Sequence, residues 1–173
     1  PHCVTLAEVL KPAGYRTYMA GKWHLHNNKD VKPTDRGFDE FYGMLGGYNS
    51  CWDEHPHYTR WPLSRKPRDY TSAKDGKPGS FYATDAFGDY ALDFIAESRA
   101  AQQPFFLYLA FNAVHTPMDA TDERLAKFPD IKDKQRRKYA AMMLAMDEAV
   151  GRVRQKLVDS KLDKNTLVCF ISD

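Results

Sequence analysis

The feature that most constrains the fold is a continuous apolar run, PFFLYLAF, at residues 104–111. A run of this length without polar alternation is typical of a strand that is buried on both faces of a sheet. Amphipathic helical spacing precedes the run near residues 84–95 and follows it from about 133 to 160. A second apolar run, TLVCFIS at residues 166–172, predicts another buried strand.

The first part of the chain carries local signals for one more helix and one more strand. Thr5 and Glu8 have the T-x-x-E spacing of a capping box, and Gly14 follows as a stop signal, which predicts a helix over residues 5–13. The segment YRTYMA, residues 15–20, predicts a short strand.

Residues 48–80 contain many Pro, Gly, aromatic and charged residues without clear periodicity. We interpret them as a long ordered insertion, since so many aromatic residues are unusual in a disordered linker. One interpretation of its side chains is a small core of the loop itself. The side chains concerned are Trp52, Tyr58, Trp61 and Tyr70, with Arg60, Arg65 and Arg68.

Helices that alternate with apolar strands predict an α/β fold with a mostly parallel sheet flanked by helices. The chain has 173 residues, which is enough for one core, so residues 1–173 are expected to form part of a single domain with the insertion at about 48–80.

Composition excludes few classes of function. The formal net charge is +2, and no run of 18 apolar residues occurs, so no membrane span is expected. The basic stretch KDKQRRK at residues 132–138 opens a helical pattern without interleaved aromatics, which favours a solvated helix face over a nucleic-acid site. Cys169 lies inside an apolar run and is expected to be buried.

Polar residues follow each predicted strand, at the edge where α/β sheets bind ligands. Lys22 and His24 follow the first strand, His115 follows PFFLYLAF, and Asp173 follows TLVCFIS. Lysine suits phosphoryl or sulfuryl oxygens, histidine can move a proton, and aspartate suits a hard divalent cation. No Ser, Thr or Cys lies in the setting of an activated nucleophile. The residues alone therefore predict part of an anion or metal site.

Four motifs make the chain similar to a known family. Residues 5–25, TLAEVLKPAGYRTYMAGKWHL, resemble the second signature region of the type I sulfatases. Residues 33–43 resemble the P-x-x-R-G-F-D-x-F-x-G that follows it, 112–117 the H-x-P after a central strand, and 170–173 the start of S/T-D-N-G. The motifs occur in the family's order.

The resemblance implies an alkaline-phosphatase-like fold and hydrolysis of sulfate esters by a formylglycine nucleophile beside Ca²⁺. It further implies that Lys22 bridges the nucleophile and the sulfate oxygens, and that His24 hydrogen-bonds the formylglycine hydroxyl. His115 is expected to contact the sulfate and to protonate the leaving oxygen. Asp173 is expected to be a calcium ligand.

The sequence also departs from the family pattern. It contains no C-x-P-x-R or S-x-P-x-R, and position 26 is His where the family usually has Gly. We interpret the chain as an interior fragment and expect it to be inactive by itself, because Ca²⁺ takes about 6 to 8 oxygen ligands and Asp173 supplies only one carboxylate.

Two alternatives stay open at this point: a phosphonate monoester hydrolase or phosphodiesterase of the same superfamily, and a non-catalytic relative that binds a sulfated glycan. The resemblance further implies a sulfated small molecule or glycan as the substrate and an extracytoplasmic location. It also implies that residues 48–80 lie near the site, which leaves a second interpretation open for their side chains: the aromatic ones contact a sugar or aryl group, and the arginines contact further sulfates. The oligomeric state is not readable from the sequence.

Overall fold

The fold is that of a computed structural model, which describes residues 3–25, 31–47, 50–52, 58–66, 68–70 and 80–172. His26 and Asp173, both singled out by the sequence, lie outside the described residues. The elements follow in the order α1 (Leu6–Leu10), β1 (Arg16–Lys22), β2 (Glu40–Met44), β3 (Thr59–Trp61), α2 (Ala83–Ala100), β4 (Phe105–Ala110), α3 (Asp122–Ala126) and α4 (Lys134–Asp159). Short 3-10 turns cover Lys11–Ala13, Pro33–Arg36 and Asp163–Asn165.

The described strands form one sheet in the order β3-β2-β1-β4. β1 lies between β2 and β4 and is parallel to both, whereas β3 runs antiparallel to β2. This arrangement confirms the predicted α/β fold with a mostly parallel sheet. β3 lies within the insertion predicted at residues 48–80.

Both faces of the sheet are covered by apolar side chains. On one face Tyr18 stacks on Phe94 of α2 with ring centroids 4.6 Å apart, and Tyr42 stacks on Tyr90 at 3.6 Å. On the other face a smaller cluster forms around Met19, Phe41 and Ala7 of α1. α4 packs outside α2. The sheet is therefore flanked by helices, as the sequence predicted.

The predicted helix at residues 5–13 is confirmed together with its cap. The Thr5 hydroxyl accepts a hydrogen bond from the Glu8 amide at 3.1 Å, and the Glu8 carboxylate accepts one from the Thr5 amide at 2.7 Å. The chain turns at Gly14. α2 begins at Ala83, close to the start of the predicted helical spacing at residue 84.

Two predictions about strands were wrong. The PFFLYLAF run does form β4, but it is only half-buried, and Tyr108 is 42% exposed. The reason is that β4 pairs only with β1 among the described strands and so lies at an edge. TLVCFIS forms no strand: residues 166–172 pair with none of the described strands, Leu167 is 89% exposed, and Cys169 is exposed as well.

The insertion carries mainly structural contacts. Trp52 and Tyr58 are buried in the core that packs on α2, and Tyr70 packs against the same cluster. Arg60 and Arg65 form ion pairs with Glu40, at the amino end of β2. These side chains therefore have packing roles, as one of the two interpretations predicted, but they pack into the core between the sheet and α2 and do not form a separate core of the loop.

Candidate active site

β1 and β4 lie side by side and parallel, so the residues that follow them leave the same edge of the sheet. Gly21 of β1 pairs with Ala110, the last residue of β4. Gly21 has a φ of 124°, and a side chain there would overlap the Ala110 carbonyl oxygen. Only glycine permits both this backbone conformation and this approach. The sequence therefore brings the two strands together immediately before Lys22.

Lys22 is the last residue of β1 and is partly exposed. Within the described part of the chain, its ammonium group has no carboxylate or hydrogen-bond partner. An ammonium without an internal counter-charge can attract an anionic oxygen from outside.

His24 lies two residues further on, and backbone contacts to the turn after β2 hold it. The amides of Trp23 and His24 donate hydrogen bonds to the carbonyls of Met44 and Leu45, both at 2.9 Å. The indole of Trp23 is buried and donates to the Val31 carbonyl at 2.9 Å. His24 itself is exposed and has a φ of 50°, a left-handed conformation in which histidine is enriched. The main chain thus anchors the residue and leaves its imidazole at the surface.

His115 lies in the loop that follows β4. Its amide donates to the Asn112 carbonyl at 2.8 Å, and its Nδ1 lies 2.6 Å from the Thr116 carbonyl oxygen. Because a carbonyl oxygen can only accept, Nδ1 must carry the proton of this hydrogen bond. Any further proton that His115 donates must therefore come from Nε2 of the imidazolium.

Asp119 anchors the far end of this loop, and no pattern in the sequence pointed to it. Its carboxylate accepts a hydrogen bond from the Trp52 indole at 3.0 Å and pairs with Lys138 at 3.3 Å. The hydroxyl of Tyr82 donates to its carbonyl oxygen at 3.0 Å. Burial raises the pKa of Asp119, but the hydrogen bond from Trp52 and the charge of Lys138 outweigh it, so the pKa lies below its ordinary value. These contacts join segments far apart in the chain, which local patterns do not predict.

The described residues do not form a calcium site by themselves. They contain no group of three or more His, Cys, Asp or Glu side chains placed to hold a metal ion. The predicted ligand, Asp173, lies outside the described residues. Because Ca²⁺ takes about 6 to 8 oxygen ligands, this donor set is too small to hold the ion by itself.

Among the described helices, none combines the length and hydropathy needed to span a bilayer.

Lys22, His24 and His115 supply one ammonium and two imidazoles near one edge of the sheet. This set suits an anionic ligand whose bound oxygens need positive charge and proton donors.

Comparison with known proteins identifies the family. A family model described as Sulfatase matches residues 1–173. The chain is 34% identical over 173 residues to the N-acetylgalactosamine-6-sulfatase of Canis lupus familiaris, covering 97% of this chain and 32% of that protein. It is 31% identical over 179 residues to arylsulfatase J of Mus musculus, covering 100% of this chain and 30% of that protein. The chain thus spans about a third of the length of these relatives.

Solved structures agree with the sequence matches. A crystal structure of Ps i-CgsB in complex with k-i-k-neocarrahexaose is 32% identical, with a TM-score of 0.75, over 90% of this chain and 36% of that one. The structure of yidJ, a sulfatase homologue from Bacteroides fragilis, is 23% identical, with a TM-score of 0.70, over 92% of this chain and 41% of that one. The expected alkaline-phosphatase-like fold is confirmed by these structural neighbours. The protein described here belongs to the sulfatase family.

Proposed function

We propose that the complete protein containing these 173 residues hydrolyses sulfate esters, and that Lys22, His24 and His115 contribute to its active site. The observation that carries the proposal is the parallel pairing of β1 with β4, because Lys22 and the His115 loop then follow the two strands at the same edge of the sheet. Membership of the sulfatase family supports the reaction type. The absence of a carboxylate partner for Lys22 among the described residues supports an anionic ligand.

Each residue has a separate role in this proposal. The Lys22 ammonium holds the non-bridging sulfate oxygens as a point charge. His115 protonates the leaving oxygen from Nε2, since its Nδ1 proton is engaged with the Thr116 carbonyl. His24 hydrogen-bonds the nucleophile. A general acid of this kind contributes about 10² to 10⁴ in rate.

The remaining parts of the site are not among the described residues of this chain. We propose a formylglycine nucleophile and Ca²⁺ for the complete protein, with Asp173 as one metal ligand. The isolated chain is then expected to be inactive, because a general acid does little without a nucleophile and a metal to position the ester.

The proposed substrate is a sulfated glycan or an aryl sulfate. An N-acetylgalactosamine-6-sulfatase and an arylsulfatase are both among the relatives, and the structure of Ps i-CgsB contains k-i-k-neocarrahexaose. These names support the glycan and aryl classes without choosing between them. An extracytoplasmic location is proposed with this function.

Kinetics of the complete protein with 4-nitrophenyl sulfate and with an aryl phosphonate test the proposal. We expect turnover of the sulfate, and losses of about 10²-fold or more in kcat/KM for Lys22→Ala, His24→Ala and His115→Ala. Lys164→Ala is the matched control, because Lys164 is an exposed lysine in the turn after α4 and is not part of the proposed site. Turnover of the phosphonate alone would show a phosphonate hydrolase. Glycan binding without turnover would show a binding protein.

A further inference from the structure

Two consecutive glycines follow β2, and they have different surroundings. A Cβ atom added to Gly47 would lie 2.5 Å from Cε1 and 2.8 Å from Cδ2 of His24, with Nε2 closer still. A Cβ atom added to Gly46 would meet no atom of the described residues within 4 Å. The imidazole of His24 therefore rests directly against the Gly47 backbone, in space that any other residue would fill.

The rest of His24 does not fix its ring. Its amide is bonded to the Leu45 carbonyl, but its imidazole is exposed and has no hydrogen-bond partner among the described residues. The backbone determines where the side chain starts, and the contact with Gly47 determines where the ring lies. A side chain at position 47 would act on the tip of His24 and would leave the backbone of the turn in place.

We infer that Gly47 is a positioning residue for the imidazole of His24, and this inference rests on the proposed function of His24. Carbon atoms in ordinary contact are about 3.5 to 4.0 Å apart. A methyl group at position 47 would therefore displace the ring by about 1 Å. Misplacing a catalytic group by this distance can cost about 10²-fold in rate.

The experiment compares Gly47→Ala with Gly46→Ala in the complete protein. The two variants add the same methyl group to adjacent residues, and only the first contacts His24. With 4-nitrophenyl sulfate we expect kcat of Gly47→Ala to fall by about 10- to 10²-fold, with KM and the thermal midpoint nearly unchanged. Gly46→Ala is expected to stay within about twofold of wild type, as a surface substitution.

A double-mutant cycle with His24→Ala separates positioning from a general structural effect. If Gly47 acts through His24, the Gly47→Ala, His24→Ala double variant is no slower than His24→Ala alone. Multiplicative losses, or equal losses in Gly46→Ala and Gly47→Ala, would overturn the inference.

Crystal structures of the wild-type protein and the two glycine variants supply a readout independent of activity. We expect the His24 ring to move by about 1 Å in Gly47→Ala and to stay in place in Gly46→Ala. An unmoved ring in Gly47→Ala would refute the positioning role. If the wild-type protein does not hydrolyse sulfate, the proposed function fails, and the ring positions still decide whether Gly47 positions His24.

Discussion

Replacing Glu40 by glutamine should be among the most damaging single changes to stability in this chain. The Glu40 side chain is only 3% exposed, and it meets three guanidinium groups. Arg65 donates to it at 2.6 and 3.0 Å, Arg16 at 3.1 Å and Arg60 at 3.2 Å. This carboxylate thus forms ion pairs with cations from β1, β3 and the turn after β3.

The magnitude follows from what glutamine leaves behind. Arg60 is only 9% exposed, and without Glu40 its nearest remaining carboxylate is Glu97, at 3.8 Å. Breaking a buried ion pair by removing one partner costs about 3 to 5 kcal/mol, because a buried charge stays uncompensated. Glutamine keeps one acceptor oxygen but turns an amide donor toward guanidinium donors. We therefore expect Glu40→Gln to lower the free energy of unfolding by about 3 kcal/mol or more.

The assay is equilibrium unfolding of the complete protein in urea, where the midpoint and the slope give the change in free energy. Glu97→Gln is the matched control, since Glu97 pairs with Arg65 at 2.6 Å but is 33% exposed. A pair with this exposure is worth about 1 kcal/mol at most. The reasoning would be refuted if Glu40→Gln cost less than about 1 kcal/mol, or no more than Glu97→Gln.

Two further predictions concern the ends of β1 and α1. The hydrogen bond from the Arg36 guanidinium is the main cause that lowers the pKa of Glu8 from 4.5 to about 2. The stabilisation by Glu8 is therefore complete above pH 4.5 and is lost as the pH falls toward 2. The difference in thermal midpoint between wild type and Glu8→Gln should shrink over that pH range, and a constant difference would contradict the argument. Gly21→Ala should lower the free energy of unfolding by more than about 2 kcal/mol, because the residue has a φ of 124° and its Cβ would overlap the Ala110 carbonyl. Its control in the same urea titration is Gly151→Ala, which replaces a glycine of α4 whose added Cβ meets no atom within 4 Å in the described part of the chain. Stability of this control should be unchanged or rise by up to about 1 kcal/mol.

Local signals in the sequence predicted local structure well. The capping box of Thr5 and Glu8 needs only residues three positions apart, and both of its hydrogen bonds are present. α4 likewise begins at Asp133, its capping residue, where the helical spacing from about residue 133 predicted a helix. Each of these signals depends on neighbours along the chain, so no tertiary partner is needed to read it.

Strand predictions depended on partners that the pattern does not specify. PFFLYLAF and TLVCFIS have similar apolar patterns, yet only the first forms a strand. β4 pairs with β1 along residues 105–110, whereas none of the described strands pairs with residues 166–172. A strand exists only where a neighbour accepts its hydrogen bonds, and composition does not reveal that neighbour.

The candidate site also combines residues that local patterns predict with residues that only tertiary contacts reveal. Lys22, His24 and His115 were predictable because each follows a strand pattern. The parallel pairing of β1 with β4 agrees with the prediction that these residues share the carboxyl edge of the sheet. Their catalytic roles stay predictions. Asp119 and Gly47 could not be found this way, since one is defined by contacts to Trp52 and Lys138 and the other by the ring that rests on it.

The turn after β2 contacts both histidine-bearing segments, although it carries none of the proposed catalytic groups. At its start, the Leu45 carbonyl accepts the His24 amide and Gly47 supports the His24 ring. A few residues later, the Trp52 indole donates to Asp119 and so holds the loop that contains His115. Leu45, Gly47 and Trp52 therefore influence the positions of both imidazoles. Substitutions in this turn should change kcat through geometry, and they should do so most where a new side chain meets a histidine or where the indole donor is lost.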